Sequence, residues 1–214
     1  MPAFGRLVSH DPRSRAFPAP VSRAPRRPVY WRLHGGVLNQ GDVGACVAHA
    51  AAHALNTTGC HRRGEALLTH DDAMALYSAA TRVDQWEGEY PPDDTGTDAN
   101  AAATALRTEG KVTAWRHCFG LDHVLSALQL GPVLLGVEWL EGMMEPTKTG
   151  LIHATGAVVG GHETLLVGDD AKGQVIGLNS WGASWGDRGH YRLSYEDLGD
   201  RLKADGDATV LVRG

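Results

Sequence analysis

Cysteine is scarce in this chain: Cys46, Cys60 and Cys118 are the only three in 214 residues. Three thiols cannot build a disulfide framework, and at least one is left free, as a reducing compartment permits. No apolar run approaches the ~20 residues that span a bilayer, so no membrane is expected as a partner. The opening Met1-Pro2-Ala3-Phe4-Gly5-Arg6 lacks the apolar stretch of a secretory signal, and a cytoplasmic location is the expectation. Excess basic charge is missing too. With 20 Lys and Arg against 25 Asp and Glu the net charge is −5, which supplies no field for nucleic acid. No CxxC or HExxH spacing occurs, and no glycine loop ends in Lys-Ser/Thr before a helix. Neither a metal nor another cofactor is therefore expected. His49 and His53, one helical turn apart near Cys60 and His61, are the best metal candidates, and a shared core face is the preferred reading.

What is present centres on Cys46. The run Gln40-Gly41-Asp42-Val43-Gly44-Ala45-Cys46-Val47-Ala48 passes from a glycine-broken polar loop into an alanine-rich helix at the cysteine. A thiol at a helix start meets the positive end of the dipole and unpaired backbone N–H groups, and both favour the thiolate. Gln40 lies close enough to swing its amide back to the same point. Downstream come Gly160-Gly161-His162 and Asn179-Ser180-Trp181-Gly182, which supply a candidate base and a group to orient it. Cys118 beside His117 reads as packing.

The order and the motifs resemble the papain-like cysteine peptidases. The family's nucleophile segment, Gln-Gly-x-x-Gly-Ser-Cys-Trp-Ala, is matched at residues 40–48. Its histidine strand is matched by Gly161-His162-Glu163-Thr164-Leu165-Leu166-Val167-Gly168. Its Asn-Ser-Trp-Gly-x-x-Trp-Gly-x-x-Gly-Tyr stretch is matched by residues 179–191. The resemblance implies Cys46 as nucleophile, His162 as acid and base, Asn179 as its orienter and Gln40 as an oxyanion donor. Gly44 and Gly161 would let a substrate backbone come close, and Trp181 would shelter the Asn179–His162 bond. Trp185 reads as a core aromatic. Departures are visible as well. Val47 stands where a tryptophan is usual, His49 where an aromatic is usual, and Val43 where secreted relatives carry a disulfide cysteine. Glu163 follows the histidine in place of a small residue, and Thr95-Gly96-Thr97 only loosely echoes the glycine pair of the groove.

Residues 1–30 hold six of the ten prolines and six arginines, with Asp11 the only acid. Proline at this density blocks helix, so the segment reads as an extended arm and residues 31–214 as the peptidase domain. The arm is expected to strap the body, with two further roles to weigh: docking an acidic virion or assembly partner, or folding into the cleft as an inhibitor. Only 39 residues precede Gln40, so a short bacterial or bacteriophage form without a long propeptide is the expectation.

Helices are expected at Cys46–Leu55 with Gly59 as a left-handed cap, after Thr69-His70-Asp71-Asp72, from Asp98 to Gly110, and from Asp122 to Leu130. Strands are expected at residues 133–139, 164–167, 175–178, 191–193 and 209–212. Helices first and strands second argue an α+β fold. The resemblance makes it two-lobed: a helical lobe at about 40–130, a β lobe at about 131–214, and the site in the cleft between them. The expected activity is hydrolysis of a polypeptide through a thioester. A cell-wall peptide or isopeptide amidase or transpeptidase using the same residues, and a non-catalytic binding module, are the alternatives.

Overall fold

A computed structural model describes residues 3–214. Three helices come first: α1 (Cys46–Leu55), α2 (His70–Thr81) and α3 (Ala99–Thr108). All ten residues of α1 are buried, and its run of alanines lets α2, α3 and the sheet approach closely. Each later start has its own cap. Thr69 and Asp72 form a reciprocal capping box on α2, and Asp98 accepts from the N–H groups of Asn100 and Ala101 on α3. At α1 no side chain caps Ala45, so first-turn N–H groups stay available beside Cys46.

Seven strands form one antiparallel sheet: β1 (Val29–Tyr30), β2 (Ala114–His117), β3 (Val133–Leu140), β4 (Val158–Asp169), β5 (Gln174–Leu178), β6 (His190–Ser194) and β7 (Asp207–Val212). The path runs β2-β7-β3-β4-β5-β6, with β1 added to the end of β4. Both faces of β3 and β4 are covered. Leu134, Leu165 and Val167 pack toward α1 and α3, whereas Leu135, Val137, Trp139 and Leu166 pack toward α4 (Leu121–Leu128) and α5 (Tyr195–Lys203). This explains why β3 reads as a continuous apolar run instead of alternating. The order is the α+β arrangement expected, N-terminal helices and a C-terminal antiparallel sheet.

One expectation is corrected. Helix α1 ends at Asn56 in a right-handed conformation, and Gly59 is not a left-handed cap. Asn56 instead exchanges two hydrogen bonds with the backbone of Leu68. Glycine is required at position 59 by space, because a Cβ there would lie 2.8 Å from Pro132 and 3.1 Å from Trp31.

The N-terminal segment crosses much of the body. Phe17 and Ala19 pair with His117 of β2, Ser22 bonds to Ser126 of α4, and Arg26 reaches the buried Asp169 of β4. Three of its arginines, Arg6, Arg13 and Arg26, are paired to carboxylates of the same chain.

Candidate active site

Cys46 is the first residue of α1 and is wholly buried. Its sulfur faces the backbone N–H groups of Glu163, Gly5 and Val47. The Glu163 amide adjoins His162, so the register of β4 sets the thiol beside the strand that carries the imidazole. His162 is also fully buried. Its Nε2–H donates to Asn179 Oδ1 at 2.8 Å, while Nδ1 has no partner. That bond assigns the proton to Nε2 and leaves Nδ1 as an acceptor. Asn179 Oδ1 also accepts from the Ser180 N–H at 2.7 Å, which fixes the amide's orientation.

Trp181 stacks on the imidazole with centroids 4.7 Å apart and planes 29° from parallel. Trp139 meets the same ring edge-on at 5.0 Å, and Trp185 meets Trp181 edge-on at 5.2 Å, its Nε1–H donating to the Met144 carbonyl. Trp139 lies outside the three motifs. The available signal was its place at the end of an apolar strand. Pairing of Val137 with His162 and of Trp139 with Gly160 puts the indole diagonally across from the histidine.

Gln40 is buried and aimed. Ser180 Oγ donates to Gln40 Oε1 at 2.6 Å, leaving Nε2 to donate to the carbonyls of Val43 at 2.8 Å and Ala3 at 3.1 Å. Ser180 is therefore a positioning residue that the motif contained but whose role needed coordinates.

The groove beside these residues is filled by the chain's own start. Thr97 N–H donates to the Gly5 carbonyl at 2.8 Å, Leu7 N–H to the Thr97 carbonyl at 2.9 Å, and Arg6 N–H to the Gly161 carbonyl at 3.0 Å. Gly44 and Gly161 do let a backbone come close, and that backbone is the arm. A Cβ on Gly161 would lie 2.3 Å from the Arg6 carbonyl oxygen, and one on Gly44 would lie 3.1 Å from that of Phe4. Phe4 lies edge-on to His162 at 5.7 Å and to Trp181 at 5.9 Å. The loop at Gly96, where φ is +79°, is held by Tyr77, whose hydroxyl donates to Asp94 and accepts from the Gly96 N–H.

Burial behind the arm sets the protonation states. Desolvation pushes the Cys46 thiol up to about 12 and holds His162 down to about 4. The pair is thus a neutral thiol and a neutral imidazole while the groove is filled. The helix start and the three N–H groups act in the other direction on sulfur.

His49 and His53 do not converge on a common point. His49 bonds to the Ala45 carbonyl and to His70, and His53 Nε2 accepts from the Leu38 N–H. Among the described residues no group of three His, Cys, Asp or Glu is arranged to hold a metal. Burial holds His49 to about 4 and His53 to about 3. Three histidines that stay neutral in the folded chain and titrate near 6.5 when unfolded destabilise it as pH falls below 6.5. Glu163, whose carboxyl is pushed upward by burial, opposes this by keeping its proton where the unfolded chain would lose it. Three imidazoles outweigh one carboxyl, so unfolding takes up protons near pH 5 and stability falls as pH falls there. Melting temperature should therefore drop steeply between pH 6.5 and 4; a flat profile there would contradict these burials.

Among solved structures, the chain superposes on xylellain, a cysteine protease from Xylella fastidiosa, with a TM-score of 0.79 and 18% identity. That match covers 100% of this chain and 97% of the other. Digestive procathepsin L 3 from Tenebrio molitor gives 0.71 at 16% identity over 98% and 75% of the two chains. The Carica candamarcensis cysteine protease CMS1MS2, solved in complex with E-64, gives 0.66 at 16% over 89% and 100%. By sequence, an uncharacterized peptidase C1-like protein of Acanthamoeba polyphaga mimivirus is 31% identical over 87 residues, 37% of this chain and 28% of that protein. Gamete and mating-type specific protein A of Dictyostelium discoideum is 26% identical over 182 residues, 74% of this chain and 40% of that protein. The chain thus spans well under half the length of these two curated relatives. No family model matches. Relatives from a bacterium, a giant virus and an amoeba do not favour the expected bacterial or phage origin. Among the described residues no helix is long and apolar enough to cross a membrane. Helices, sheet and the full-length superposition agree on one architecture: the chain has the papain-like fold of cysteine proteases.

Proposed function

We propose that this chain is a cysteine peptidase that hydrolyses peptide bonds through a thioester on Cys46. The observation that carries the reading is the buried Nε2–H···Oδ1 bond from His162 to Asn179, which leaves Nδ1 unpaired on the residue next to Glu163, whose backbone N–H faces the helix-start thiol. His162 takes the thiol proton, the sulfur attacks the carbonyl carbon, and the oxyanion receives donors from Gln40 Nε2 and the Cys46 N–H. The imidazolium gives its proton to the leaving amine. Water then attacks the thioester, with His162 taking a proton from it and Cys46 leaving as thiolate. Asn179 keeps the ring in the rotamer that serves both halves.

A polypeptide suits the groove because its partners are backbone groups. The Thr97 N–H and the carbonyls of Thr97 and Gly161 hold residues 5–7 as an added extended strand, a mode indifferent to most side chains. Incubation with a peptidyl epoxide or vinyl sulfone and intact-mass measurement tests the reading. One equivalent is expected on Cys46, and none in the Cys46→Ala chain. A folded Gly5→Val chain, its arm displaced from the groove, that stays unlabelled while Cys60 reacts normally with iodoacetamide would refute it.

A further inference from the structure

Arg6 is the middle residue of the extended stretch beside Cys46, and its side chain turns off the groove into the body, where it is 1% exposed. The guanidinium Nε donates to Asp207 Oδ2 at 3.0 Å, and Nη2 donates to the same carboxylate and to the Asp205 carbonyl. Glu163 is fully buried in the same space, with neither carboxyl oxygen hydrogen-bonded. Gly136 of β3 forms the floor. A Cβ there would lie 2.5 Å from Glu163 Oε2, 2.6 Å from Arg6 Nε and 2.8 Å from Asp207 Oδ2. Asp98 adds a third carboxyl group to the same region, although its own oxygen caps α3.

We propose that this pocket is a specificity site that selects an arginine side chain of the substrate, with Arg6 as its intramolecular occupant. The proposal rests on the peptidase reading only for the word substrate. Any peptide laid beside Cys46 on Thr97 and Gly161 drops one side chain where Arg6 now sits. An aliphatic side chain there would cover Asp207 without a partner, whereas a planar guanidinium donates to its carboxylate and to the Asp205 carbonyl while lying beside Glu163. The alternation of β4 explains why this does not disturb the base: Glu163 and His162 leave the strand on opposite faces. Asp207 is on this view the residue that reads the substrate, with Glu163, an oddity of the motif as sequence, lining the pocket beside it.

Two measurements on the full-length chain test the proposal. In the first, the Gly5→Val/Arg6→Ala chain, whose arm can neither seat nor fill the pocket, is titrated with a labelled peptide of the sequence of residues 3–10. The same peptide with citrulline or leucine in place of arginine serves as the comparison, and fluorescence anisotropy reads Kd. Arginine should bind at least tenfold more tightly than either, and adding Asp207→Asn and Glu163→Gln should erase the difference. Equal affinities, or no binding by any of the three, would overturn the proposal. In the second, Cys46 alkylation by iodoacetamide is timed in chains carrying Arg6→Lys and Arg6→Leu. Leucine should speed alkylation at least tenfold over wild type and lysine clearly less; equal rates for the two variants would also overturn it. Neither readout needs turnover, so a chain that prefers the arginine peptide yet takes no warhead would keep the pocket and lose the peptidase.

Discussion

Replacing Gln40 by alanine should lower turnover by two to three orders of magnitude with little change in KM. The oxyanion exists only after sulfur has attacked, so a donor aimed at it stabilises the transition state and not the bound substrate. Loss of one such donor costs ~2.7–4 kcal/mol. Gln40 has the required preparation: its carboxamide is buried, its oxygen is held by Ser180 Oγ, and its nitrogen is turned toward the Ala3 carbonyl that stands in the groove. Gln40→Glu keeps an acceptor for Ser180 but removes the donor and adds repulsion, so it should lose at least as much. Ser180→Ala frees the carboxamide without deleting it and should lose about tenfold. Steady-state kinetics on the three variants decide the matter, and a Gln40→Ala chain with near-normal kcat would show that the amide only braces the loop.

Gly5→Val should raise the rate of Cys46 alkylation by iodoacetamide at least tenfold and raise turnover with it. A Cβ at position 5 would stand 1.8 Å from the Gly44 carbonyl oxygen and 2.3 Å from its carbon, both backbone atoms that cannot move aside. The arm must lift, and the Arg6, Thr97 and Leu7 hydrogen bonds lift with it. Each such bond is worth about 1 kcal/mol net, so losing two already exceeds a tenfold change in the open population. Cys60 serves as the internal reference, and melting temperature should fall by several degrees as those bonds are lost. Opening also restores water to the thiol and imidazole, so the alkaline limb of the alkylation profile should move down from near pH 12. An unchanged alkylation rate would mean that the segment does not gate the site.

Much of the fold was legible because its signals are local. Helix α1 is announced by its alanines, α2 by the Thr69–Asp72 box, α3 by Asp98, and β3 by a run of large apolar residues. Helix α5 leaves no such signal: it is polar, carries Gly199 in its middle and buries only Leu198 and Gly199, so no apolar stripe marks it. Strand β4 runs from Val158, six residues before the expected start, because its first residues, including Gly160 and Gly161, pair with β3 by backbone alone. The two-residue β1 and the half-buried β2 offer too little pattern to find.

The site divides the same way. Cys46, His162, Asn179 and Gln40 sit in dense local motifs. The Arg6–Asp207 pair joins positions 201 apart, and nothing near either residue announces the other. Phe4 and Trp139 are invisible for the same reason, since their importance lies in which ring they touch. Glu163 was conspicuous as a departure, and only the partners on β3 and β7 show which way it faces.

The attachment of residues 17 and 19 to β2 has a consequence for control. A tip lifted from the groove remains moored about ten residues away, so it returns from a local concentration on the order of millimolar for a short flexible tether. Dilution cannot relieve it, and a soluble competitor must outmatch a resident that never diffuses off. Only a ligand with strong affinity of its own, a cut between the mooring and the tip, or a partner that grips the tip outside would leave the groove standing free.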